Sequence, residues 1–255
     1  MRYVERSKRS TPSPSIQGLS VECSTLAQVR PLIEDGHYLG KVHNRGRVAF
    51  ALVSPEGELI GAALFGQPSR ETIAVSLWKC ENEEDRKFAV LASMELTRFY
   101  TLDGLHPDAG TWFLGRAVKE LRGGCPPCSP NTEMLVAYSD PIAQHHGGLY
   151  QAASWLYTGQ SGSDHYHYED AQGARVSKQT PWQYAKKERL AGTAPAGERP
   201  ADGERRVAKD RGWVKVKDLP KYRYVKPLTR RARRGLALSV LDYPKPRDAG
   251  HVAGV

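Results

Sequence analysis

The sequence predicts an α/β fold, a mixed sheet with helices on its faces. Three observations lead there. Residues 48–53 and 59–65 are apolar, strand-like runs joined by the turn sequence Ser54-Pro55-Glu56-Gly57, so they form an antiparallel hairpin. Residues 94–100, 111–121, 134–138 and 148–154 then read as strand, helix, strand and helix, an order that sets the two strands parallel. Hydrophobic residues make up 40% of the 255 and charged residues 25%, enough to bury one core within an ordinary globular composition.

Taken in order, residues 1–15 carry Arg, Lys, Ser, Thr and Pro with little to bury and are expected to be disordered, a folded domain beginning near Ile16. Ser24-Thr25 offers a cap to a helix with Leu26, Val29 and Ile33 at helical spacing, ending near Gly36. After the hairpin, residues 73–77 suit a short strand. Leu96 and Phe99 fit either strand or helix, and the break at Leu102-Asp103-Gly104 favours a strand. Phe113, Leu114, Ala117, Val118 and Leu121 form one apolar helical face, with Asp108 and Thr111 as candidate caps. Residues 155–157, 165–168, 212–216 and 222–225 are strand-like, residues 159–163 a loop and residues 192–203 a surface insertion. The reading is one catalytic domain over 16–227 followed by a basic, flexible tail over 228–255.

Charge is uneven. Residues 186–247 hold 19 Lys or Arg against 7 Asp or Glu, which exceeds the net +9 of the whole chain. Such a block attracts polyanions, nucleic acid foremost, through phosphate contacts; the alternative is a solvated tail. Lys215, Lys217, Lys221, Arg223, Lys226, Arg230 and Arg231 are the candidate DNA contacts. No run approaches the ~20 apolar residues of a membrane span, and the first residues lack an apolar signal core, so a cytoplasmic protein without a membrane partner is expected. Four cysteines are too sparse for a disulfide framework, and their thiols are expected to be free.

Chemistry concentrates at the end of the strand over 134–138. An Asp beyond a buried α/β strand sits where such sheets place their sites, and Asp140 is there. His145-His146-Gly147-Gly148 leads into a helix carrying Tyr150 toward the same strand end; the alternative is that Asp140 caps the turn and Tyr150 packs. His37 is a second candidate, as general base or metal ligand. His165 and His167 alternate on one strand and suit either a metal pair or a solvated face. Cys125-Pro126-Pro127-Cys128 has a zinc-knuckle spacing without a second pair. The segment His106-Pro107-Asp108-Ala109-Gly110-Thr111 stands where a pyrophosphate would rest on helix amides, with Thr111, Arg98 and Arg116 nearby, although it is not a Walker loop.

Several of these segments together resemble the Mom family of phage DNA adenine-modification proteins, which has an acetyltransferase-like fold related to the GNAT enzymes. They are His37-Tyr38, Glu95-Leu96-Thr97-Arg98-Phe99, Phe113-Leu114-Gly115-Arg116, Tyr138-Ser139-Asp140-Pro141, His146-Gly147-Gly148-Leu149-Tyr150-Gln151-Ala152-Ala153 and Lys221-Tyr222-Arg223-Tyr224. The resemblance implies conversion of adenine in double-stranded DNA to its N6-carbamoylmethyl form, shielding phage DNA from host restriction. It implies acetyl-CoA or a related acyl donor, and an iron ion, for which His37 with one of Asp140 or Tyr150 is the candidate ligand set. Its functional positions fall on His37, Arg98, Asp140 and Tyr150, the last able to protonate a leaving thiolate. Thr111-Trp112 departs from the Ser-Arg pair usual in the family. An N-acetyltransferase acting on a protein or small-molecule amine, and a non-catalytic nucleic-acid-binding protein, are the alternative functions.

Overall fold

The computed structural model describes residues 1, 3, 15–37, 42, 46–123, 131–143, 145–161 and 166–245. It divides into two compact units, Met1–Gln160 with Lys221–Val255, and Ser161–Pro220. The first unit runs β1 (Ser20–Ser24), α1 (Leu26–Gly36), β2 (Gly46–Val53), β3 (Leu59–Gly66), α2 (Glu71–Leu77), α3 (Glu83–Ala92), β4 (Ser93–Thr101), α4 (Ala109–Gly123), β5 (Met134–Ser139), a 3-10 turn (Pro141–Ala143), α5 (Gly148–Ala152) and β6 (Leu156–Gln160). The second contains β7 (Tyr166–Glu169), β8 (Arg175–Val176), α6 (Gln179–Leu190), α7 (Pro200–Asp210) and β9 (Val214–Lys217); the chain then returns to the first with β10 (Tyr222–Pro227) and α8 (Arg230–Gly235).

The large sheet has the order β1-β2-β3-β4-β5-β10-β6. Its pairings are antiparallel except for β4 with β5. Two cores flank it, and the period-2 alternation of β5 shows which residues face which. Leu135 and Ala137 join Val29, Leu32 and Ile33 of α1 and Phe113, Leu114 and Ala117 of α4. Met134 and Val136 join Leu77 of α2, Ala89 and Ala92 of α3, Val225 of β10 and Ala232 of α8. Every residue of β3 is buried, as befits a strand covered on both faces. Burying each of the larger apolar side chains contributes roughly 1.5–3 kcal/mol.

Thr25 caps α1 through a capping box with Gln28, an arrangement that contributes about 1 kcal/mol. Between Leu64 and Phe65 the β3–β4 register shifts, and Thr97, within the irregularity, donates its hydroxyl to Leu64 O. A bulge changes the phase of a strand. Leu96 and Phe99, three apart, therefore both reach the same core. That spacing is what makes the segment resemble a helix in the sequence.

Several expectations give way to what the structure contains. Residues 73–77 lie in α2 rather than a strand: β-branched Thr72, Ile73 and Val75 suggest a strand, but Ala74 and Leu77, three apart, are the buried pair, and Glu71 favours a helix start. The segment 192–203 is not wholly an insertion loop, since α7 begins at Pro200, a residue suited to a first helical turn. The tail over 228–255 is not free as far as it is described. Leu228 and Ala232 are buried, Ala237 N–H donates to Leu77 O, Leu241 N–H to Tyr157 O, and the Tyr243 hydroxyl to Trp155 O. Cys23 is disulfide-bonded while Cys80 is free, so the thiols are not all reduced. The Cys125–Cys128 knuckle, His165, Tyr38, residues 2 and 4–14 of the N-terminal segment and residues 246–255 lie outside the described residues.

Candidate active site

The only parallel ladder among the described residues is short. It pairs Ser93 with Met134, Met94 with Leu135 and Glu95 with Val136, and then stops. Beyond it β4 continues to Thr101 on β3, and β5 continues to Ser139 on β10. The two strands part between Leu96 and Ala137, opening a cleft at their carboxyl ends, where open α/β sheets place ligands. Arg98 lies on β4 within the opened stretch and Asp140 follows the last residue of β5.

Asp140 is held tightly. It is 6% exposed. Its Oδ1 accepts from Ile142 N–H at 3.0 Å, its Oδ2 meets Lys221 Nζ at 3.1 Å, and its backbone carbonyl accepts from Ala143 and His145 N–H. Ser139 closes the turn by donating its hydroxyl to His145 O at 2.6 Å. The predicted turn-capping role and a functional carboxylate thus coexist, because Oδ1 serves the turn while Oδ2 faces a cation. Lys221, expected as a phosphate contact, is the partner of that carboxylate.

His37 caps the end of α1, its N–H donating to Ile33 O. The helix end is pressed onto β4: a Cβ on Gly36 would lie 2.1 Å from the Tyr100 ring. Burial, then electrostatic interaction with Arg98 and His145, depresses the His37 pKa to about 4, so the imidazole is neutral at pH 7. The structure thereby brings His37, Arg98 and His145 into one electrostatic cluster.

Tyr150 belongs to an aromatic stack. Its ring is 5.1 Å from that of Tyr224 and 5.5 Å from that of Trp155. Tyr224, fully buried, donates its hydroxyl to His146 O at 2.6 Å and accepts from Gln151 Nε2 at 3.1 Å. Gly147 stands at φ +86°, and a Cβ there would come within 2.3 Å of the Tyr224 ring, so glycine is required for the chain to enter α5 at this angle. Lys226 donates to Ala153 O and Ser154 O at the other end of α5, and burial lowers its pKa. Tyr224, Gln151 and Lys226 are supports of the Tyr150 helix that composition does not reveal, since strand pairing alone brings β10 beside α5.

The first turn of α4 also borders this region, Gly110 lying against Leu149 of α5 and Phe99 of β4. Thr111 sits in that turn, half-buried. Arg116 is a turn further on, exposed, with its guanidinium 5.6 Å from the centre of the Trp112 ring. Of the other predicted DNA contacts, Arg223 is bound to Thr158 through Nε and a terminal nitrogen, and Arg231 lies over the Phe88 ring and near Glu133. Lys215 and Lys217 are exposed on β9, and Arg230 is exposed at the start of α8. His167 has Asp218 at Nδ1 and Glu169 at Nε2, so both ring nitrogens already have partners within the fold.

A family model settles kinship: that of the Mom protein family matches residues 19–245. The chain belongs to the Mom protein family. Its order of helix, hairpin, strand, loop and helix, parallel strand and Tyr-bearing helix is the acetyltransferase-like arrangement implied by the sequence. No curated protein shows significant sequence similarity to it. Among solved structures it is similar to a Bacillus subtilis acetyltransferase in complex with CoA, with 10% identity, 83% of this chain and 99% of that one covered, and a TM-score of 0.37. It is also similar to a Vibrio cholerae spermidine/spermine N-acetyltransferase in complex with manganese ions, with 10% identity, coverage of 85% and 96%, and a TM-score of 0.40. Iron, which the family resemblance implies, does not fit the described residues: no three His, Cys, Asp or Glu converge, and a guanidinium charge acts on His37. No helix among them is long and apolar enough to cross a membrane.

Proposed function

We propose that this Mom-family chain modifies the exocyclic amine of adenine in DNA, giving the N6-carbamoylmethyl base and protecting phage DNA from restriction, with an acyl-CoA-like donor. The observation that carries the reading is the cleft where β4 and β5 part, with a buried carboxylate at one lip and Arg98 at the other. Family membership supports adenine in DNA as the substrate.

The amine of adenine is a weak nucleophile because its lone pair is delocalised into the ring, so its proton must pass to a positioned acceptor as the new bond forms. Asp140 fills that role, its orientation fixed by Ile142 N–H and Lys221. Neutral His37 adds a second acceptor without adding charge. The amino end of α4 and Arg98 face donor phosphates, for which free helix amides and a guanidinium are suited. Tyr150, held by its neighbours, supplies a proton to the departing thiolate, while the amide nitrogen and the two-electron oxidation that a bond to the donor's methyl carbon requires come from an ammonia-level nitrogen donor and an oxidising co-substrate. Reaching the amine requires extruding the base from the duplex, at a cost of a few kcal/mol that protein–phosphate contacts offset.

Nucleoside mass spectrometry of DNA from cells expressing the full chain tests the reading. Carbamoylmethyladenine is expected. Unmodified adenine would overturn it, and N-acetyladenine would show that attack occurs at the acyl carbon rather than the methyl carbon.

A further inference from the structure

The unit Ser161–Pro220 carries an arrangement that the cleft does not account for. Lys215 Nζ lies 3.8 Å and Lys178 Nζ 4.7 Å from the centre of the Tyr166 ring. Lys178, Trp182 and Lys186 are four apart along α6 and its leading residue, and so share one face, with Lys186 Nζ 5.5 Å from the Trp182 ring. Lys217 pairs with Tyr166 across β7 and β9 and points to the same side of the sheet as Tyr166. The result is a ribbon in which cations and rings alternate, Lys215, Tyr166, Lys178, Trp182, Lys186, spanning about 12 Å along α6 alone.

Two features set this ribbon apart from an ordinary solvated face. With Arg211 over Tyr184 and Trp213, five cation–ring pairs fall within this one unit, whereas about one per 70–80 residues is usual, so the pairing is a property of the surface rather than of chance. Four of the unit's six arginines, Arg175, Arg199, Arg205 and Arg206, each pair with carboxylates, while among the described residues none of Lys178, Lys186, Lys215 and Lys217 does. Their charge is left for an external anion. A lysine already laid on a ring has also given up much of the rotamer freedom that binding would otherwise cost, which is preorganisation for ligand.

We infer that this face is a docking surface for the phosphodiester backbone of DNA, in which Tyr166 and Trp182 hold Lys215, Lys178 and Lys186 as a preordered row of phosphate contacts. The inference rests on DNA being the substrate, and it adds to the contacts predicted in the other unit, of which Lys221, Arg223 and Lys226 are bound within the fold while Arg230 is exposed.

The test is the salt dependence of duplex DNA binding by the full chain, compared with K178Q/K186Q/K215Q and with the single exposed change Lys215→Glu. Each phosphate that the protein no longer neutralises lowers the slope of log K against log salt by about 0.9. The triple variant is therefore expected to reduce it by about 2–3 and Lys215→Glu by about 1–2. Unchanged affinity and slope in a folded triple variant or in Lys215→Glu would overturn the docking surface while leaving the adenine reading intact. Lysine-dependent DNA binding without any modified adenine would instead overturn the enzymatic reading and keep the surface. Binding of polyglutamate as tight as that of DNA would show that the ribbon takes acidic protein, against the inference.

Discussion

Gly147 and His37 are the single residues on which the candidate site depends most visibly. Gly147→Ala would force a Cβ into the Tyr224 ring at a left-handed φ, combining a clash with backbone strain of about 1–3 kcal/mol. The variant is expected to lose at least about 2 kcal/mol of stability in denaturant unfolding; a loss near zero would mean that the turn is not held by Tyr224. His37 makes a pH prediction. Its folded pKa of about 4 lies below the 6.5 of the free side chain, so between those values the unfolded chain binds a proton that the folded chain refuses. Stability that is full above pH 6.5 falls as pH drops toward 4, and His37→Gln is expected to flatten that part of the profile. An unaltered profile in the variant would place His37 in water. Asp140 and His37 are legible as candidates because strand-end carboxylates and imidazoles announce themselves by type and position. Lys221 is hidden, since in a basic stretch one lysine looks like the next, and only the β5–β10 pairing brings it to Asp140.

At the scale of elements, the hairpin, α1, α4 and the parallel pair can be read from the sequence because each carries its own period or turn chemistry. What misleads is local phase. The bulge in β4 gives a strand the spacing of a helix, and the β-branched residues of α2 give a helix the composition of a strand. The insertion of β10 between β5 and β6 is invisible because the pairing joins residues 62 to 93 positions apart, across the whole second unit. α5 has five residues, too few to persist by propensity, and is fixed by partners at both ends. Lys226 holds its carboxyl end, so Lys226→Met is expected to cost about 1.5 kcal/mol in thermal or denaturant unfolding, the lower end of the range for a charged hydrogen bond because the group is partly solvated. A full loss of modification with unchanged stability would instead assign Lys226 to the reaction.

For the whole molecule, the basic C-terminal region divides among three duties that composition merges into one. Part of it sustains the unit Ser161–Pro220, where Arg206 ties Glu188, Glu198 and Asp210 together. Part builds β10 and its partners at the cleft, and the stretch through 245 is bound along the first unit by Ala237, Leu241 and Tyr243. Ending the chain at Gly235 removes those bonds, and its melting temperature is expected to fall by several degrees, about 4 °C or less for each kcal/mol in a chain of this size; no change would mean that the stretch is carried passively. The cleft itself remains the centre of the account. It is tested most directly by measuring, side by side, the modified adenine in DNA from cells expressing wild type and Asp140→Asn at equal levels of folded protein. Abundant carbamoylmethyladenine with the wild type and a loss of at least a hundredfold with the near-isosteric variant, the order of effect for a general base, is the predicted result, and equal modification by the two would contradict it.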